Sequence, residues 1–274
     1  MIVMDEKQPS DESFFPLGGL EPHRNLLIQP PDGQLLYKMM RGEDFLRSVS
    51  ESYLHFTRVD SYTDVHDGQQ LPEDHHVNTS VKFAKAPNFS AADYYDTSRS
   101  RTYACCFSLE NSRYIWEHYG NSSVKGKVCV VFNFARLRAA LNKTFENSAP
   151  LYNDLPCRQM FSLNYGVVEY VEWDKLQANG MHLPNPIKYT YLKNKTPYEE
   201  EKELRISLSA LGVGKFVLND GTQIEFPASM PVAFDFRAAG AAGIIPQILC
   251  APDGDQDFLR SELLKLGIEL GGEG

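Results

Sequence analysis

Residues 189–208 read YTYLKNKTPYEEEKELRISL, and the second half of that stretch decides the fold. From Glu201 onward two kinds of residue alternate, with Glu201, Glu203, Arg205 and Ser207 set against Lys202, Leu204, Ile206 and Leu208. A period of two is that of a half-buried strand. With Leu204, Ile206 and Leu208 turned to a core, Glu201, Glu203 and Arg205 line the opposite face. Alternate residues stand roughly 6.6 Å apart along a strand, so two carboxylates and a guanidinium can meet one ligand. Upstream, Tyr191, Lys193, Lys195 and Tyr198 add aromatic and cationic groups. The same alternation also suits an exposed antiparallel face with weak cross-strand ion pairs.

Outward from this strand the chain mixes strand and helix signals. Leu35–Met39, Tyr53–Thr57, Thr102–Ser108, Lys127–Phe134 and Leu163–Val171 read as strands, the fourth almost wholly apolar at its centre. Glu43–Glu51, Glu110–Tyr119, Ala135–Lys143 and Asp257–Leu266 carry apolar residues at helical spacing. After the opening stretch, Asn219-Asp220-Gly221-Thr222 joins two short runs as a hairpin turn. Val232–Phe236 and Ile244–Leu249 read as further strands, and the final GGEG as a disordered tail. The order implies an α+β fold of mixed, mostly antiparallel sheets flanked by short helices. Residues 1–32 read as an irregular N-terminal arm docked through Phe14, Phe15 and Leu17, and residues 33–270 as a single domain.

Between Val59 and Ser100 the chain reads as a long, polar, turn-rich segment, which in a compact domain is more often a lid than a plain connector. It holds Asp64, His66, Asp67, Asp74, His75 and His76. Their spacing matches no zinc or calcium pattern, so no metal site is expected.

The composition of the 274 residues is that of a soluble globular protein, with 42% hydrophobic and 23% charged residues. A net charge of −9 argues against broad attraction to nucleic acid or anionic membranes. No apolar run reaches the ~20 residues that span a bilayer, and the start lacks a secretory pattern. The five cysteines, Cys105, Cys106, Cys129, Cys157 and Cys250, include no Cys-x-x-Cys pair and are expected reduced, in the cytoplasm.

Four features then stand in order: Leu36-Tyr37-Lys38; Tyr53 to Arg58 running on to Asp64; Cys106-Phe107-Ser108 followed by Trp116-Glu117-His118-Tyr119; and Glu201-Lys202-Glu203-Leu204-Arg205. This set resembles a bacterial family catalogued as domain of unknown function 2971, over about residues 35–265. Val65 stands where that family has proline, and Leu204 where it often has tryptophan. A further resemblance, of fold order and of the glutamate-x-glutamate signature, is to ADP-ribosyltransferases.

That resemblance implies an ADP-ribosyltransferase-like fold, NAD as the substrate cofactor, and a macromolecular acceptor of protein or nucleic acid. It also implies a bacterial toxin or antiviral phage-defence role, with an antitoxin or regulatory protein as a further partner. Breaking the nicotinamide–ribose bond builds positive charge on the ribose, which a carboxylate stabilises. Glu203 is the candidate for that role and Glu201 for the acceptor side. Tyr37, Trp116 and Tyr119 are candidates to stack on nicotinamide, Lys38 and Arg58 to meet the pyrophosphate, and Ser108 to fix the ribose. Core packing is the competing reading of Trp116, and a solvated strand position that of Lys38. Two other classes remain: a non-catalytic binding or sensor module in which Glu203 and Arg205 pair structurally, and a metal-dependent nuclease built on Asp64, Asp67, Glu201 and Glu203.

Overall fold

In the computed structural model of the chain the described residues are 20–64, 66–84, 86–123, 125–146, 150–152, 155–156, 161–173, 186–210, 215–217, 223–251 and 256–268. Phe14, Phe15 and Leu17, Cys157, the Asn219–Thr222 turn and the GGEG tail lie outside them. In chain order the elements are β1 (Leu35–Arg41), α1 (Gly42–Glu51), β2 (Tyr53–Arg58), α2 (Pro72–Ser80), β3 (Lys82–Phe83), β4 (Ala86–Ser90), α3 (Ala91–Arg99) and β5 (Thr102–Ser108). There follow α4 (Arg113–His118), β6 (Lys127–Asn133), α5 (Phe134–Glu146), β7 (Pro150–Tyr152), β8 (Leu155–Pro156), β9 (Phe161–Val167) and β10 (Glu169–Val171). The remainder holds β11 (Leu192–Asn194), α6 (Lys195–Tyr198), β12 (Glu203–Ala210), β13 (Lys215–Val217), β14 (Gln223–Glu225), β15 (Ser229–Ala233), α7 (Phe236–Ala241), β16 (Gln247–Cys250) and α8 (Gln256–Lys265).

The fold is mixed α and β. An eight-stranded sheet joins β15, β2, β5, β1, β6 and β16, with β12 and β9 attached through β5. Its pairings are all antiparallel. Short ribbons, β3 with β4, β7 with β8 and β13 with β14, stand apart from it, and β10 pairs with β11 in parallel.

The apolar strand TYACCFS becomes the point at which the sheet divides. Along one edge β5 pairs with β12 over its whole length, Thr102 to Ser108. Along the other edge it pairs with β2 at Tyr103 and Ala104, and with β1 at Ser108. β1 and β2 therefore part over Cys105 to Phe107. Under this strand lies the main core, where Leu204, Ile206 and Leu208 of β12 meet Tyr103, Cys105 and Phe107 of β5.

Three sequence readings are corrected here. β12 is buried on both faces rather than half-buried: Glu203, Arg205 and Ser207 are covered as fully as the leucines. Their cover is the Asp64–Asp67 turn and the 186–198 run, which carry partners for each charge. Glu201 is also not part of the strand. It ends a 3-10 turn, Glu199–Glu201, and Lys202 at φ 46°, ψ 52° breaks the alternation before β12 begins. The Val59–Ser100 segment likewise is not one long loop, since it contains α2, the β3–β4 ribbon and α3. Helix α2 has no apolar stripe because it buries Asp74 and Asn78, which are polar. Asn78 donates to Gln70 at 2.7 Å, Gln70 donates to the Ala92 carbonyl at 3.0 Å, and the Tyr189 hydroxyl donates to Asp74 at 3.0 Å. A Ser90–Asp93 capping box starts α3.

The described part of the N-terminal arm serves as an edge guard. The Leu163 and Val167 N–H groups donate to the Leu20 and Ile28 carbonyls, each at 2.9 Å. Gln29 donates to the Tyr165 carbonyl at 2.6 Å. These bonds cover the side of β9 away from β12, a row of groups that otherwise invites edge-to-edge association.

Candidate functional site

Where β1 and β2 part, a cavity of about 760 Å³ opens, a size suited to a small-molecule or dinucleotide ligand. Ala104–Ser108 of β5 form its floor, Tyr37–Arg41 of β1 one wall, and Tyr53, His55 and Thr57 of β2 another. Tyr62–Asp64 and Asp67 lie over it, while Tyr119, Lys193, Tyr198, Glu201, Glu203 and Arg205 close the far end. The strand register places three predicted residues in one row. Tyr37 is opposite Ser108, and Ser108 is opposite Glu203.

Of the residues singled out from sequence, Tyr37, Lys38, Ser108, Tyr119, Glu201 and Glu203 all line this cavity. Arg58 and Trp116 are outside its lining. Arg58 is turned away from it, donating to Asp60 at 2.6 Å and to the Phe226 carbonyl, between β14 and β15, at 2.6 Å. Trp116 packs against the Cys129, Val131 and Leu249 cluster and donates to Asn111 at 2.7 Å. On the short helix α4 it is Ile115, one residue earlier, that borders the cavity. Ser108 lines the cavity, but its hydroxyl is committed to a local turn, donating to the Glu110 carbonyl at 2.8 Å and accepting from the Glu110 N–H at 3.1 Å.

The chemistry of the far end is set by a buried charge network. Arg205 is fully buried and all five of its N–H groups have acceptors. Nε donates to Glu203 at 2.6 Å and Nη2 to Glu203 at 3.1 Å; both terminal nitrogens donate to Asp67, and Nη1 also to the Thr190 carbonyl at 2.7 Å. Lys193 donates to Glu201 at 2.5 Å and to Glu203 at 3.2 Å, and lies 4.5 Å from the centroid of the Tyr198 ring. The Tyr119 hydroxyl donates to Glu201 and the Tyr170 hydroxyl accepts from the Glu203 N–H at 2.8 Å.

Three carboxylates thus share two cations, and the excess negative charge has to fall somewhere. Burial pushes the Glu203 carboxyl up, but Arg205 and Lys193 together outweigh it and hold the group far below the usual carboxylate range. Glu201 goes the other way: burial and then the Glu203 charge raise it. Lys193 is held protonated, because Glu203 and Glu201 overcome its burial. The Cys106 thiol beside Glu203 is pushed up by burial and by that charge, so it is no nucleophile.

Two cavity groups sit outside this closed network. Lys38 runs along the Phe107 ring, its Nζ 5.2 Å from the centroid, and donates to the Cys106 carbonyl at 3.2 Å. That bond takes one of its three N–H groups, and among the described residues it has no carboxylate partner. Asp64 accepts from the His66 N–H at 3.0 Å through Oδ1, while its buried Oδ2 has no partner.

No protein-family model, curated protein or solved structure matches this chain.

Among the described residues no group of His, Cys, Asp and Glu has the geometry to hold a metal ion. Asp67, Glu201 and Glu203 have Arg205 and Lys193 as their cations instead. Cys105, Cys106, Cys129 and Cys250 are free thiols. No described helix is long and apolar enough to cross a membrane. Sequence reasoning missed the acceptors that complete the network, the Thr190 carbonyl and the Tyr170 hydroxyl, since neither has a periodic or motif signal.

Proposed function

We propose that this cavity binds NAD as a substrate and transfers its ADP-ribosyl group to a macromolecular acceptor, as a bacterial toxin or phage-defence enzyme does. The observation that carries the reading is the Tyr37–Ser108–Glu203 row across three neighbouring strands, on the floor of a cavity that opens where the sheet divides. The order of motifs resembling family 2971 and the ADP-ribosyltransferases supports it. So does the charge distribution: Lys38 suits a pyrophosphate, and the net-negative cluster at the far end suits a pyridinium and the positive charge that develops on ribose.

In this reading Glu203 acts as a fixed anion. Its oxygens accept from two cations, Arg205 and Lys193, which hold it far below the usual carboxylate range, so it contributes charge rather than proton transfer. Glu201, raised by burial, is the proton acceptor. The bond from C1′ of the ribose to the nicotinamide nitrogen breaks with its electron pair leaving on nicotinamide. The acceptor's nucleophile forms the new bond to C1′, and its proton passes to Glu201.

The test is release of nicotinamide from NAD by the wild type, offered protein and nucleic-acid acceptors, against Glu203→Gln and Glu201→Gln. Each variant is expected to lose roughly a hundredfold or more in turnover. The completeness of the Arg205 pairing favours a second reading, a non-catalytic binding or sensor module in which the network only braces β12. No release from the wild type with any acceptor selects that reading.

A further inference from the structure

We infer that Asp64 is a ligand-recognition residue of the cavity, its Oδ2 accepting from a neutral hydroxyl or amide N–H group of the bound molecule; this rests on the NAD reading above. Asp64 is 7% exposed and lines the cavity, yet Oδ2 has no hydrogen-bond partner. A buried acceptor left unsatisfied is costly, and native structures keep few of them. The neighbouring acids do not share this condition. Asp67, Glu201 and Glu203 each accept from Arg205, Lys193 or Tyr119.

The side chain is also held in place rather than free to turn away. Oδ1 accepts the His66 N–H at 3.0 Å, and the Asp64 carbonyl accepts the Asp67 N–H at 3.2 Å, closing a turn. Asp67 in turn is clamped by Arg205. The free oxygen is therefore presented by a carboxylate anchored through its other oxygen, as a recognition group needs to be. Within an NAD-type ligand two sources fit such an acceptor, a ribose hydroxyl and the carboxamide N–H of nicotinamide. A cation has less claim, because Lys38 and Asp64 together suit a molecule carrying both an anionic group and an uncharged donor.

The test uses Asp64→Asn, which keeps an oxygen for the His66 N–H and turns the free acceptor into a donor. Melting temperature is measured without ligand, and affinity by calorimetry for ADP-ribose and for carba-NAD, an analogue whose glycosidic bond does not cleave. The inference expects an unchanged melting temperature and an affinity lower by roughly tenfold to a hundredfold, the size of a lost hydrogen bond to a charged group. Loss with both probes identifies a ribose hydroxyl, and loss with carba-NAD alone identifies the carboxamide. Equal affinity of the variant and wild type for both probes overturns the inference and leaves the NAD reading standing. A lower melting temperature gives Asp64 a structural role and overturns it too. Failure of the wild type to bind either probe overturns the NAD reading and this inference together.

Discussion

Arg205 donates through both terminal nitrogens to the two carboxylate oxygens of Asp67, which lies 138 positions earlier in the chain. The pair ties the turn over the cavity to the central strand beneath it. Because both groups are buried, Asp67→Ala leaves a guanidinium charge without its main acceptor. We expect a loss of about 3–5 kcal/mol in urea denaturation, which adding Arg205→Met does not recover, because Glu203 then loses the guanidinium it accepts from. A loss below about 1 kcal/mol for the single variant would mean that solvent reaches the pair.

How much of this was legible beforehand depends on the kind of signal. The alternation in 203–208 and the apolar run 102–108 were enough to place β12 and β5, because period two reports burial directly. What alternation does not reveal is a second buried face made of ions. Glu203, Arg205 and Ser207 look like a solvent face until Asp67, Thr190 and Lys193, remote in sequence, are brought over them. Glu201 was misassigned to the strand for a related reason, since nothing local in Glu-Lys-Glu announces the left-handed Lys202. Helix α2 was invisible because a helix that buries Asp74 and Asn78 has no apolar stripe, and α3 because it buries only Ala92, Tyr95 and Ser98. Motif order singled out Tyr37, Lys38, Ser108, Tyr119, Glu201 and Glu203, and the fold places all six along the cavity. Arg58 and Trp116 lie outside the cavity lining because side-chain direction at the end of a strand or on a six-residue helix is not written in spacing.

The unequal sharing of charge predicts a pH dependence. Glu203 sits below its ordinary range, so the stability it contributes is present above the usual carboxylate pKa, ~4.3, and is lost as pH falls through its depressed value. Glu201 sits above that range, so the folded state binds its proton more tightly than the unfolded one, and its contribution is lost as pH rises through the raised value. Melting temperature should therefore climb on mild acidification from neutral pH and fall again in strong acid. Asp67 is raised by burial too and shares the first limb, so Glu201→Gln should shrink that limb and leave the second. In turnover the same group gives an acid limb above the ordinary carboxylate pKa, absent in Glu201→Gln. An unaltered profile in that variant removes Glu201 as the titrating group.

Gly166 tests the packing of the N-terminal arm on β9. A Cβ there would stand 2.9 Å from the Tyr191 ring and 3.0 Å from Leu27 Cβ. Both neighbours are buried, and the Tyr191 hydroxyl is hydrogen-bonded to Ser207 at 2.8 Å, so neither can yield easily. Gly166→Ala is expected to cost about 1–3 kcal/mol in denaturant unfolding. A neutral result would show that the arm lifts away without penalty.

Lys38 separates ligand binding from the chemical step. Its ammonium lies 5.2 Å from the Phe107 ring centroid and reaches the Cys106 carbonyl at 3.2 Å and the Cys105 thiol, which leaves it an N–H group for a ligand. Lys38→Met keeps the stem and removes the charge, so the fold should lose at most about 1 kcal/mol, the worth of one ordinary hydrogen bond. If the ammonium holds the pyrophosphate equally in the ground and transition states, KM for NAD should rise by about tenfold while kcat holds. The KM of the wild type should also rise with salt more steeply than that of the variant, since the variant has lost the screened charge. A fall in kcat with KM unchanged would place Lys38 at the bond being broken instead. Unchanged KM, kcat and salt dependence would remove it from the binding site.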